Sequence, residues 1–168
     1  MIQPFQKKMI ASMPKAENHI HIEGSIPLYL ALKLAEKNHV KLPCDTAQGL
    51  RQWIKDTKGT YGLNGFMYCN RKINSVCIHE EDYEAVVMEL AKQAKVQNII
   101  YQELFLDYPL NEERGIPIEV VMDGYITAKK RAIDELGVEL VYIAGLDRTL
   151  PSEQCVNFVK KLEKYLDF

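Results

Sequence analysis

Along Lys15-Ala16-Glu17-Asn18-His19-Ile20-His21-Ile22 the residues fall into two alternating sets. Ala16, Asn18, Ile20 and Ile22 form one, and Glu17, His19 and His21 the other. This period of two is the signature of a strand with two distinct faces. Glu23-Gly24-Ser25 breaks it, and a helix is predicted over 26–38, with Ser25 as N-cap, Pro27 in the first turn, and Leu30, Ala31, Leu34 and Ala35 as its apolar stripe. After a break at 43–46, a short helix over 46–56 is anchored by Leu50, Trp53 and Ile54. Gly59, Gly62 and Gly65 predict a mobile loop over 58–65, and 66–76 reads as helical again.

The segment 80–96 has the clearest helical pattern. Acidic residues lead it, Lys92 and Lys95 close it, and Val86, Val87, Leu90, Ala91 and Ala94 line one side. Residues 98–107 (NIIYQELFLD) are β-branched and aromatic, as in a buried strand. Gly115-Ile116-Pro117 introduces a long helix that ends at Gly137 as a C-cap. A third strand covers 138–144, and Leu150-Pro151-Ser152 opens a last helix running to about Leu166. Strands separated by helices imply parallel pairing and an α/β fold. Residues 1–12 are read as a tail ahead of it.

Composition narrows the function classes. Of 168 residues, 47% are apolar and 26% charged, which suits one folded domain and excludes disorder. The net charge is −2, from 21 basic and 23 acidic residues, so no electrostatic footprint for nucleic acid or an anionic membrane is visible. No segment has the length of a signal-peptide core or a bilayer span. The cysteines Cys44, Cys69, Cys77 and Cys155 form no C-x-x-C pair and are read as reduced, consistent with a cytoplasmic protein.

His19 and His21 carry the sharpest chemical signal. In a strand, the i, i+2 spacing sends both imidazoles to one face. There they start a metal site, zinc being favoured by imidazole ligands, or make ordinary hydrogen bonds inside a sheet. Glu23 continues the same side, where its carboxylate would orient the imidazoles, bind substrate hydroxyls or ligate a metal; otherwise it is a solvated residue at a strand end. Tyr101, Glu103 and Phe105 share a face of the second strand, and Glu103 is read as satisfying a neighbour. Asp147 and Arg148 are read as an ion pair shaping the loop after the third strand. His39 and His79 sit at a helix end and a helix start, with structural roles. No G-x-S-x-G, Walker A or G-x-G-x-x-G pattern is present.

The segment Met13-Pro14-Lys15-Ala16-Glu17-Asn18-His19-Ile20-His21-Ile22-Glu23-Gly24-Ser25 resembles the first barrel strand of the adenosine/adenine deaminase family, P-K-A-E-L-H-x-H-[LI]-[DE]-G-[ST], with Asn18 in place of the usual Leu. Leu63-Asn64-Gly65-Phe66 resembles a helical segment near that family's pocket mouth. Asn98 to Leu104 resembles its second strand and Val141 to Arg148 its third. Arg114-Gly115-Ile116-Pro117 with Glu119-Val120-Val121 is similar to the adenine-deaminase branch.

The resemblance implies a metal-dependent amidohydrolase on a TIM (β/α)8 barrel, in which zinc activates a water that attacks C6 of a 6-aminopurine and ammonia leaves. It implies His19 and His21 as zinc ligands and Glu23 as a substrate-contacting carboxylate. His21 would lie against the substrate as well, and Phe66 would be an apolar gate residue. The family also uses a third His ligand, an Asp ligand, a proton-donating Glu and a water-orienting His, and no His follows His79 here. A barrel takes about 250 residues. The expectation is therefore the first three βα units of the barrel, with extra helices after strand 1. Residues 1–168 would form the N-terminal part of a single barrel domain, incomplete as given and requiring the C-terminal part for turnover. A purine is the expected small-molecule partner, the oligomeric state is open, and adenosine and adenine are both open as substrates. The alternative from a different class is a non-catalytic half-barrel acting as a binding or assembly module.

Overall fold

The three segments rich in β-branched and aromatic residues become strands, and the computed structural model, which describes residues 3–166, joins them in one parallel sheet. The strands β1 (Lys15–His21), β2 (Ile99–Leu106) and β3 (Glu139–Ala144) lie side by side in chain order. On β2, Gln102, Leu104 and Leu106 are buried on one face, and Tyr101, Glu103 and Phe105 occupy the other, which is only half covered. Ile20 and His21 pair with Leu104 and Phe105 in register, and Leu104 and Phe105 in turn with Tyr142 and Ile143.

Helices fill the crossovers. Between β1 and β2 run α2 (Leu28–Lys37), α3 (Ala47–Asn74) and α4 (Glu80–Val96). Between β2 and β3 run α5 (Pro109–Glu112), α6 (Ile118–Arg131) and a π-helical turn, Ala132–Leu136, stopped by Gly137 in the left-handed conformation, as expected. After β3 comes α7 (Ser152–Leu162), followed by a 3-10 turn, Glu163–Tyr165. The core lies between one sheet face and α4 with α6, where Val86, Val87, Ala91, Val121, Tyr125 and Ala128 are buried. The rings of Tyr83 and Tyr125 meet edge to face at 5.9 Å.

The bounds of α4 agree with the sequence pattern, and its start is strongly held. The fully buried carboxylate of Asp82 accepts from the amides of Ile78 (3.0 Å) and His79 (2.9 Å), from Asn38 Nδ2 (2.7 Å) and from Lys37 Nζ (2.7 Å). Burial alone would raise the Asp82 carboxyl, but Lys37, these amides and Asn38 outweigh it and hold the group below its ordinary value. One side chain thus ties the end of α2 to the start of α4.

Two local readings are corrected. Ser25 is not an N-cap: α2 begins at Leu28, with Pro27 in extended backbone at the cap position. Residues 58–65 are not a loop. Helix α3 runs through them and breaks only at Gly62, whose φ of 57° and ψ of −131° exclude residues with a side chain. Its two arms fold back on each other, with Trp53 and Tyr68 in edge contact at 6.1 Å and Gly65 packed on the Thr57 carbonyl. The glycines here mark a helical hairpin and its close approach rather than disorder. Ahead of β1, the stretch 1–12 carries α1 (Pro4–Ser12), none of whose residues is buried; residues 1–2 lie outside the described residues.

Candidate active site

The strand β1 does not alternate throughout. His19 has a φ of 65°, in the left-handed region that side-chain-bearing residues rarely adopt, and the pairing register with β2 shifts between Glu17 and Ile20. Before this bulge, Glu17 lies on the helix side, where its Oε2 accepts from Gln102 Nε2 at 2.8 Å. After it, His21 stands beside Phe105 on the opposite face. The shared face expected for Glu17, His19 and His21 therefore holds only for the two histidines. Their ring centroids are 5.4 Å apart, and Phe105 stacks on both, at 4.6 Å from His19 and 5.1 Å from His21.

At the carboxyl end of the sheet, His21 Nδ1 lies 2.6 Å from Asp107 Oδ2, a distance at which the ring N–H donates to the carboxylate. Asp107, one residue past β2, donates its own amide to Glu23 Oε1 at 3.1 Å, and the Tyr125 hydroxyl donates to the same oxygen at 3.3 Å. Glu23 is not a solvated strand end: it is only 2% exposed, and its Oε2 has no partner among the described residues. Burial, reinforced by the Asp107 charge, pushes its carboxyl up to about 8. Glu23 therefore keeps its proton at neutral pH. Because Oε1 already accepts two hydrogen bonds, the proton belongs on Oε2, which is buried and has no partner among the described residues.

These groups border a cleft of about 990 Å³, also lined by Phe66, Gly145 and Arg148. Phe66 comes from the second arm of α3, and Lys58 from the first arm lies over its ring at 5.4 Å. Among the described residues no group of three or more His, Cys, Asp or Glu is placed to hold a metal ion. Two donors do fit one: His19 and His21 share a face, and a carboxylate at hydrogen-bond distance from His21 Nδ1 is the arrangement usual around metal-binding imidazole.

The remaining residues singled out in the sequence have structural partners. His79 caps α4 and His39 lies just past α2. Glu103 accepts from the Tyr101 hydroxyl at 3.2 Å. The expected Asp147–Arg148 ion pair does not form: Asp147 Oδ1 instead accepts from the amide (2.8 Å) and hydroxyl (2.7 Å) of Thr149. Arg114 sits outside the cleft, donating to the carbonyls of Asn74, Ser75 and Cys77 and so closing the end of α3. All four cysteines are free. No helix among the described residues is long and apolar enough to cross a membrane.

The family model described as adenosine deaminase matches residues 14–167. The chain belongs to the adenosine deaminase family. Within it, the chain is 34% identical over 163 residues to an adenine deaminase of Zymomonas mobilis, a match covering 95% of this chain and 46% of that protein. It is 35% identical over 145 residues to an adenine deaminase of Geotalea uraniireducens, covering 86% and 40%. The crystal structure of an adenine deaminase from Arthrobacter aurescens superposes with a TM-score of 0.82 at 25% identity, covering 89% of this chain and 44% of that one. An amidohydrolase from Burkholderia ambifaria, described with bound Zn, shares the fold with a TM-score of 0.79 at 18% identity, covering 98% and 44%. The chain thus spans less than half the length of these relatives. Its three parallel strands and their helices are one part of the deaminase (β/α)8 barrel.

Two residues of the site escaped the sequence reading. Asp107 carried a usable signal, since it continues the i, i+2 series of Glu103 and Phe105 to the carboxyl end of a parallel strand, where barrel active sites gather. Gly145 carried none locally; its importance arises from contact with Asp107.

Proposed function

We propose that this chain supplies part of the active site of a zinc-dependent enzyme that hydrolytically deaminates a 6-aminopurine, with adenine foremost among substrates. Hydrolysis replaces the C6–N bond to the exocyclic amine with a C6–O bond and yields the 6-oxopurine and ammonia. The observation that carries this reading is the pair His19 and His21 on one face at the carboxyl ends of the strands, with His21 Nδ1 engaged by Asp107. Family membership supplies the reaction class, and the relatives named adenine deaminase favour the free base.

His19 and His21 would hold zinc, whose chemistry when bound is Lewis acidity toward water. Asp107 orients His21. Glu23 offers its Oε2 hydroxyl to an acceptor on the substrate, and Phe66 supplies an apolar wall at the mouth of the cleft. Catalytic zinc takes three protein ligands. The other ligands and the proton-transfer groups belong to the remainder of the barrel that the relatives carry.

The test places this chain in the Zymomonas mobilis adenine deaminase, in exchange for the 46% that it matches. The folded chimaera is expected to bind zinc and release ammonia from adenine, and His21→Ala is expected to abolish both. A folded chimaera that binds no metal and deaminates neither adenine nor adenosine would count against this reading and in favour of a non-catalytic module.

A further inference from the structure

The contact between His21 and Asp107 joins the ends of two strands, and the third strand takes part through a residue with no side chain. A Cβ built on Gly145, the residue following β3, would lie 2.6 Å from Asp107 Oδ1 and 3.0 Å from the Leu106 carbonyl oxygen. The Gly145 amide donates to that same carbonyl at 3.0 Å, so the backbone cannot retreat without losing a hydrogen bond. Asp107 is therefore confined: Gly145 lies against Oδ1, its amide is held by Glu23, and Oδ2 meets His21. A carboxylate has no proton to give, so the shared proton must sit on the imidazole nitrogen.

We propose that Asp107 is a positioning residue, its carboxylate fixing His21 in the tautomer protonated on Nδ1 so that Nε2 is the lone-pair nitrogen presented to the cleft, and that Gly145 is the residue whose missing side chain allows it. The proposal rests on the reading of His21 as a zinc ligand only for its functional meaning. The tautomer itself is a property of the chain without metal. Glu23 reinforces the arrangement from below, because its hydrogen bond to the Asp107 amide fixes the backbone that carries the carboxylate.

The test is long-range 1H–15N correlation of the imidazole rings in the metal-free 168-residue chain, at a pH where His21 is neutral, with zinc affinity measured in parallel by chelator competition in the barrel-completed chimaera that supplies the other ligands. The wild-type His21 is expected to be dominated by the Nδ1–H form. In Asp107→Asn the amide accepts from Nδ1–H or donates to a bare Nδ1 equally well, so that dominance is expected to be lost. Zinc affinity is expected to fall by roughly 10- to 100-fold. Gly145→Ala keeps the carboxylate but displaces it, and should move the same resonances in the same direction, which covers the case in which Asp107→Asn does not fold. A purely structural ion pair would lower the melting temperature and leave the tautomer as in wild type. An Nε2–H form in the wild-type chain, or an unchanged His21 spectrum in both variants, overturns the proposal. A changed tautomer with unchanged zinc affinity upholds the positioning role and overturns the reading of His21 as a zinc ligand.

Discussion

Glu23 receives both of its hydrogen bonds on Oε1, which leaves the second oxygen, protonated at neutral pH, as a buried donor without a partner among the described residues. Glutamine reproduces this distribution, with one oxygen accepting from Asp107 and Tyr125 and an amide N–H in the place of the carboxylic O–H. In the barrel-completed chimaera, Glu23→Gln should keep KM for adenine within a few-fold of wild type, and Glu23→Ala should raise it roughly tenfold through loss of the hydrogen bond. Steady-state kinetics on the two variants checks this; a Gln variant as impaired as the Ala variant would mean that an ionised carboxylate is required. At this scale the sequence was informative about identity and poor about environment. The i, i+2 spacing of His19 and His21 places both imidazoles together, but nothing in the neighbouring residues announces the left-handed φ of His19 that moves Glu17 to the other face. The burial of Glu23 and the partner of His21 depend on Asp107 and Tyr125, 84 and 102 residues further along.

Among the elements, the start of α4 shows how one buried charge is made tolerable by its donors. The Asp82 carboxyl is held below its ordinary value of 3.8, so the stability it contributes is present above that pH and is lost as the pH falls through the lower value of the folded state. Asp82→Asn should cost about 2–3 kcal/mol at pH 7, because the hydrogen bonds that remain lose their charge. The cost should shrink as the pH falls through that lowered value, below which both proteins carry a neutral group. Thermal melting of the two proteins between pH 3 and pH 7 tests this, and a pH-independent difference would assign the effect to packing alone. The bounds of α4 were legible because acidic residues at its start, Lys95 at its end and an apolar stripe all agree with a helical period. The hairpin in α3 was not, since glycine serves equally as a loop residue, a left-handed hinge and a place where two helices touch. Only the packing of Tyr68 on Trp53 and of Gly65 on Thr57 separates these uses.

For the whole molecule, protection should follow burial. Helix α1 buries none of its residues, while β2, α4 and α6 enclose the core. Amide hydrogen exchange should therefore show α1 opening at small cost and the β2–α4–α6 unit exchanging only by global unfolding; equal protection in α1 would reveal a partner on its exposed side. The α/β class and the parallel pairing were legible from the alternation of strands and helices, and the motif around His19 and His21 identified the family. The closure of the cleft was not, because it depends on contacts between strand ends far apart in the chain. The order β1-β2-β3 has a further meaning during synthesis. Each strand pairs with the one made just before it, so every backbone pairing becomes available as soon as the later strand leaves the ribosome. His21 waits for Asp107, Glu23 for Asp107 and then Tyr125, and Asp107 for Gly145. This part of the site can thus assemble vectorially, in the direction of translation, with the partners of His21 all made once residue 145 emerges.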